Sequence, residues 1–423
     1  MRSLVPGFLI VLAACGREPT TLQIERAIPA YAPVVGGTTI RITGAGFAAD
    51  EAGPNRVMIA SREAPLARTV DDATLEIVLP PADQPGDAEV VVLNRHGNAR
   101  ATGILRYSAA PAIDAVAPTD VVFSSTSTVV TLTGSGFFDE DAGTASVVVD
   151  GQLASDVVVT SDTSLTFIAP PGVALVWPDL ELINQRGTAT AQRGFRYTPS
   201  DREGLLLFSV SSSQFALFYD PTDHSTIPIP RVSGSSARFT AVVRDDRGDY
   251  WGADRSRRFG RIDMRTQRLA NPSALQGWLP AVTRVGDEYL GVNRNVLRFG
   301  RLDPTTGAFT TIGDEAIPCC GSYGLASDGT TLYFTAPSTT APTITPIDPT
   351  TGVTGTPVPI IASAGFHVED MRFFHGTLYV TSRDGTLVTL DPLTGVVTPL
   401  PVNLGRANAI EVFEYARDPA AIP

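Results

Sequence analysis

The residues whose types are best suited to chemistry sit late in the chain. Cys319 and Cys320 are adjacent, and in an oxidising compartment two neighbouring thiols close a vicinal disulfide only through distorted peptide geometry. Such a pair suits a redox switch, a soft-metal site completed by His367, a stiff apolar platform for a ligand, or simply a rigidified turn. His367, Glu369 and Arg406 supply an imidazole, a carboxylate and a guanidinium, the groups that a lyase or glycan hydrolase would have to bring together. His96, His224 and His375 do not extend this set, because each falls in a turn-like segment where a solvated ring is expected. His-Glu-x-x-His, Gly-x-Ser-x-Gly and paired-Cys metal spacings are missing from the sequence, so no catalytic residue, metal or cofactor is assigned. Arg247-Gly248-Asp249 matches an adhesion triplet, but it reads as a hairpin turn between two strands.

Two further motifs reduce to turns. Gly44-x-Gly46-x-x-Ala49 has dinucleotide-site spacing, yet Asp50-Glu51-Ala52-Gly53-Pro54 follows where such a site needs a helix. The acidic loops Asp50-Glu51 and Asp139-Glu140-Asp141 lack the oxygen-ligand spacing of an EF-hand and read as solvated.

The frame that holds these residues is legible from composition. The chain has 423 residues, is 43% hydrophobic, and carries 38 Gly and 33 Pro among recurring Val, Thr and Ile, which predicts an all-β fold with several domains. The formal charge is -12 with basic residues read as scattered singly, so a nucleic-acid partner is not expected. No apolar run after the N-terminus reaches the roughly 18–20 residues that span a bilayer.

At the N-terminus Arg2 precedes an apolar run from Leu4 to Ala14, the pattern of a secretory signal. Leu12-Ala13-Ala14-Cys15 resembles the lipobox of bacterial lipoproteins. The resemblance implies removal of residues 1–14, acylation of Cys15, a tether over 15–21, and a membrane partner reached through that lipid. Gly16 in place of Asp implies outer-membrane sorting within the bacterial cell envelope.

Residues 22–199 repeat. Gly44-Ala45-Gly46-Phe47 returns as Gly134-Ser135-Gly136-Phe137, Leu79-Pro80-Pro81 as Ala169-Pro170-Pro171, Asn94 and Gly97 as Asn184 and Gly187, and Arg106-Tyr107 as Arg196-Tyr197, each at an offset of 90. Ile24 and Pro29 match Ile113 and Pro118 at 89, and Ser124-Ser125 stands near where the first copy has Gly36-Gly37. This order resembles the IPT/TIG immunoglobulin-like domain. It implies two tandem β-sandwiches, 22–109 and 110–199, that act as spacers or as protein- or glycan-binding units without catalytic residues.

Beyond a polar linker around Thr198–Gly204 the period changes. Turns recur at Asp220, Asp263, Asp303, Asp348 and Asp391, three of them reading Asp-Pro-x-Thr-Gly. Each follows a strand and opens another, which suggests four short strands per unit of about 40 residues, the pattern of a β-propeller blade. A five-bladed propeller over 205–423 is predicted, with Ala409–Tyr415 completing the first blade; a six-bladed ring or an open solenoid is the alternative. By analogy with propellers, the ligand-binding mouth is assigned to the loops carrying Arg238, Trp278, Tyr323, His367, Glu369, Arg406 and Asn408, beside Cys319 and Cys320. The resulting expectation is a lipid-anchored, non-catalytic binding or scaffold protein with a protein or glycan ligand. A propeller enzyme is the rival.

Overall fold

The computed structural model describes residues 21–48, 52–138, 142–208, 214–235, 238–317, 324–336, 342–363, 365–403 and 407–414. Residues 1–20, with Cys15 among them, and Cys319, Cys320, Tyr323, Arg406 and both acidic loops lie outside the described residues. The described regular structure is dominated by β-strands. Two compact units emerge, one comprising residues up to Val116 with Val130–Ile168 and Asp179–Ala191, the other Ala117–Val129, Ala169–Pro178 and the chain from Gln192 onward.

The first unit holds the repeated sandwich sheets. In the first copy, Gln23–Ile28, Thr39–Ala45, Thr74–Val78 and Leu66–Asp71 form one sheet, and Gly97–Ala101, Val90–Asn94, Arg56–Ile59 and Arg62–Glu63 the other. Period-two alternation sends Ile40, Ile42, Leu75 and Ile77 from one sheet against Val57, Ile59, Val90 and Val92 from the other. The same positions 90 residues on, Val130, Leu132, Leu165, Phe167, Val147, Val149, Leu180 and Leu182, are buried as well.

The repeated motif residues explain themselves. Asn94 Nδ2 donates to the Gly46 carbonyl at 2.9 Å, and Asn184 Nδ2 to the Gly136 carbonyl at 2.8 Å. The Tyr107 hydroxyl donates to the Pro80 carbonyl and Tyr197 to that of Pro170, both at 2.6 Å. A side chain at Gly44 would collide with the Gln23 carbonyl, and one at Gly134 with that of Ala112. Where Gly36 closes a turn onto the Pro33 carbonyl in the first copy, Ser125 closes the matching turn onto Val122.

Among the described residues, the second unit holds five four-stranded antiparallel sheets. Four are sequential meanders that begin on the inner strands Phe239–Arg244, Ala281–Val285, Leu325–Ser327 and Val368–Phe374. The remaining sheet is completed by the late strand Ala409–Phe413, which pairs with Gly204–Phe208 in register from Phe413 opposite Gly204 to Ala409 opposite Phe208. Each inner strand lies against the next, and Ala409–Phe413 lies against both Phe239–Arg244 and Val368–Phe374, so the inner strands form a closed cycle. The arrangement is a propeller-like repeat.

The five aspartate turns share one construction. Asp303, Asp348 and Asp391 accept the backbone N–H two residues on at 2.8, 2.7 and 2.9 Å, and these bonds, with those from the neighbouring threonines, hold their carboxyls below the usual range. The fifth position is left-handed in all five turns: Gly307, Gly352 and Gly395, but also His224 at φ 61° and Gln267 at φ 53°. His224 is therefore not merely a solvated turn residue. Its Nδ1 lies 2.6 Å from the Tyr219 hydroxyl and its ring stacks on Tyr219.

Candidate functional site

The axis of the ring is occupied. Arg372, 5% exposed, sits on the inner strand Val368–Phe374, and its guanidinium has five N–H donors in a planar fork. Nε donates to Glu411 at 3.0 Å, Nη1 to the Leu325 and Met371 carbonyls at 2.8 Å each, and Nη2 to the carbonyls of Val242 and Val282. Those acceptors come one from each of the five inner strands, so a single side chain ties the whole cycle together.

Asp370 completes this hub. Its two carboxylate oxygens accept from the N–H groups of Met371 and Ile410 at 2.9 and 3.1 Å. Burial pushes the carboxyl up to about 7 against the pull of Arg372 and of those N–H groups, with Glu411 adding to the rise. An unfolded aspartate titrates near about 3.9, so between those values the fold keeps a proton that the unfolded chain releases. This contribution to stability is whole below about pH 4 and declines as pH rises through the folded value. The unfolding midpoint of the ring is accordingly expected to be higher at about pH 5 than at about pH 7.5, with Asp370→Asn flattening the difference. A wild-type midpoint that climbs over that interval contradicts the assignment.

The described members of the predicted mouth all lie at or near the starts of inner strands: Arg238 before Phe239, Trp278 ahead of Ala281, His367 and Glu369 around Val368, and Asn408 before Ala409. Trp278 packs under the Arg294 guanidinium at 4.7 Å and donates its backbone N–H to Asn295 Oδ1. Asn408 donates its backbone N–H to Phe208, while Glu369 faces Arg383 at 3.9 Å. Among the described residues, no hydrogen bond or ion pair joins any two of Arg238, Trp278, His367 and Asn408.

Arg238 also lines a cavity of about 530 Å³, together with Asp254, Arg255, Ser256, Arg258 and Arg268. The turn is built on Asp254, 7% exposed, whose Oδ1 accepts the N–H groups of Ser256 and Arg258 at 2.9 and 3.0 Å while Oδ2 takes the Arg258 guanidinium at 2.6 and 2.9 Å. Arg268 reaches the Gly234 carbonyl at 2.7 Å. Neighbouring Arg231 has its pKa lowered, first by burial and then by the charge of Arg238. The sequence reading placed only Arg238 in a site. Its signal for the rest was the run Arg255-Ser256-Arg257-Arg258: the chain contains no lysine, and ten of its 32 arginines fall within residues 231–268.

Residues 22–108 and 111–197 each match the IPT/TIG domain. The two sandwiches are IPT/TIG domains. The repeated Arg-Tyr pair that ends each domain is used in two ways. Arg106, at the end of the first IPT/TIG domain, is exposed beside Asp87 at 3.4 Å. Its counterpart Arg196 is fully buried, bonds Asp120 and the Glu414 carbonyl at 2.9 Å each, and lies over the rings of Phe413 and Trp177 at 4.9 and 5.6 Å.

Among solved structures, a structural genomics protein of unknown function from Bacteroides thetaiotaomicron aligns at 15% identity over 86% of this chain and 96% of its own, with a TM-score of 0.33. An auxiliary nutrient binding protein from Bacteroides ovatus aligns at 13% over 94% of this chain and 91% of its own, with a TM-score of 0.28. The extracellular region of plexin A4 aligns at 15% over 46% of this chain, which spans 20% of that protein, with a TM-score of 0.30. Likenesses at this level carry no functional argument. No curated protein matches the chain.

Proposed function

We propose that this protein is a lipid-anchored binding protein of the bacterial cell envelope: Cys15 holds it to the outer membrane, the two IPT/TIG domains serve as a stalk, and the five-bladed propeller binds a ligand without converting it. The observation that carries the binding role is the arginine-lined cavity, whose volume of about 530 Å³ falls in the range of small-molecule sites. Its turn is shaped by a buried aspartate that accepts two backbone N–H groups and the Arg258 guanidinium, and Arg238, Arg255 and Arg268 stand around it. The anchor rests on Leu12-Ala13-Ala14-Cys15. Several acyl chains at one residue give lasting attachment where a single chain is marginal.

The anchor is tested by mass and membrane partitioning of the full chain from its native host, with Cys15→Ser alongside. Acylated wild type in the membrane fraction and soluble Cys15→Ser is the expected result. Unmodified, soluble wild type removes the anchor and with it the stalk.

A further inference from the structure

We infer that the cavity between Arg238 and Arg268 takes a ligand bearing at least two oxyanion groups, such as a sulfated or uronate oligosaccharide or a condensed phosphate. The inference rests on the binding-protein reading and names the chemistry of its ligand. Four guanidiniums line the cavity and one carboxylate answers them: Asp254, engaged by Arg258. Arg268 is tied only to the Gly234 carbonyl, and among the described residues Arg238 and Arg255 make no hydrogen bond or ion pair to the protein. A local excess of three positive charges therefore stands on a chain of net charge -12.

Nothing in the fold requires that excess. The turn would close with Asp254 and Arg258 alone, because the backbone bonds that shape it run to Asp254. Arginine keeps its charge at any working pH and offers paired donors that match the two oxygens of a carboxylate, sulfate or phosphate. Arg238 arrives from the segment before one inner strand, Arg255 and Arg258 from the turn between Tyr250–Asp254 and Arg258–Asp263, and Arg268 from the start of the outer strand. Donors converging from three separate segments fit several anionic groups better than one. Among the described residues no aromatic ring lines the cavity, so they offer an uncharged sugar no stacking surface there.

The test titrates the full mature chain with pyrophosphate, a sulfated disaccharide, digalacturonate and neutral cellobiose by calorimetry, beside the variants Arg238→Ala and Arg255→Ala. Both substitutions remove side chains without protein partners, so folding is retained; Arg258→Ala, which frees Asp254, is avoided. At least one anionic probe should bind, with affinity falling at higher salt and dropping about tenfold or more in each variant, the loss of a charge-assisted hydrogen bond. Preference for the sugars or for pyrophosphate identifies the source of the oxyanion. Failure of all three anionic probes, or binding unaltered in both variants, overturns the inference. Arginine-independent binding of cellobiose also overturns it, but leaves the binding-protein reading standing.

Discussion

Arg372→Leu is expected to cost the ring about 3–5 kcal/mol, the range for stranding buried charge by removing one partner. The substitution leaves Glu411 in the interior without a counter-charge, removes the cation that pulls the Asp370 carboxyl down, and withdraws a donor from four backbone carbonyls on four different strands. Against a typical domain stability of about 5–15 kcal/mol, that loss is a large fraction of the whole. Arg372→Lys keeps the charge but offers three donors from one point, so at most three of the five inner strands stay tied and the effect should be intermediate. Pairing Arg372→Met with Glu411→Gln removes one stranded charge and should recover part of the loss. Urea unfolding followed by tryptophan emission reads this unit selectively, because Trp177, Trp251 and Trp278 all lie in it. An unchanged midpoint in Arg372→Leu would mean the cycle closes on strand packing alone.

That hub was hidden from sequence reading for a physical reason. Turns announce themselves through residues that only turns demand, and the fixed aspartate spacing therefore exposed the sheet repeat. The 90-residue offset did the same for the sandwiches, down to Asn94 and Asn184. The acceptors around Arg372 are mostly backbone carbonyls, which leave no trace in residue type. Asp370 and Arg372 belong to no motif that would mark them, and only the closed cycle of inner strands makes them a buried hub. The cavity was missed for a related reason: Arg255 and Arg258 stand close in sequence, but Arg238 and Arg268 join them from separate segments only in the folded structure. The stretch Thr198–Gly204 read as a polar linker, yet Thr198 and Ser200 are 1% and 8% exposed. Polar composition did not reveal that these residues are packed.

The packing of that stretch leads to the second large effect. Arg196→Ala is expected to destabilise the second unit by about 3–5 kcal/mol, since it leaves Asp120 without its partner and removes the guanidinium from between the Trp177 and Phe413 rings. Arg193, bidentate to Asp249 at 3.1 and 3.2 Å, also lies over the Trp177 ring, at 4.7 Å. The chain supplies its own control at the position 90 residues earlier. Arg106 has a side chain 57% exposed and a single 3.4 Å contact with Asp87, the setting in which an ion pair contributes about 0–1 kcal/mol. Arg106→Ala should therefore leave thermal unfolding by circular dichroism nearly unchanged, while Arg196→Ala lowers the transition seen both there and by tryptophan emission. Equal shifts in the two variants would mean that burial does not distinguish them, and that the Arg-Tyr repeat reflects a shared local role within each sandwich. Unequal shifts mean that one repeated motif has been put to two uses: a surface position in the first domain and, in the second, a fastening of segments 117–129, 169–178 and 192–198 into the unit that carries the ring.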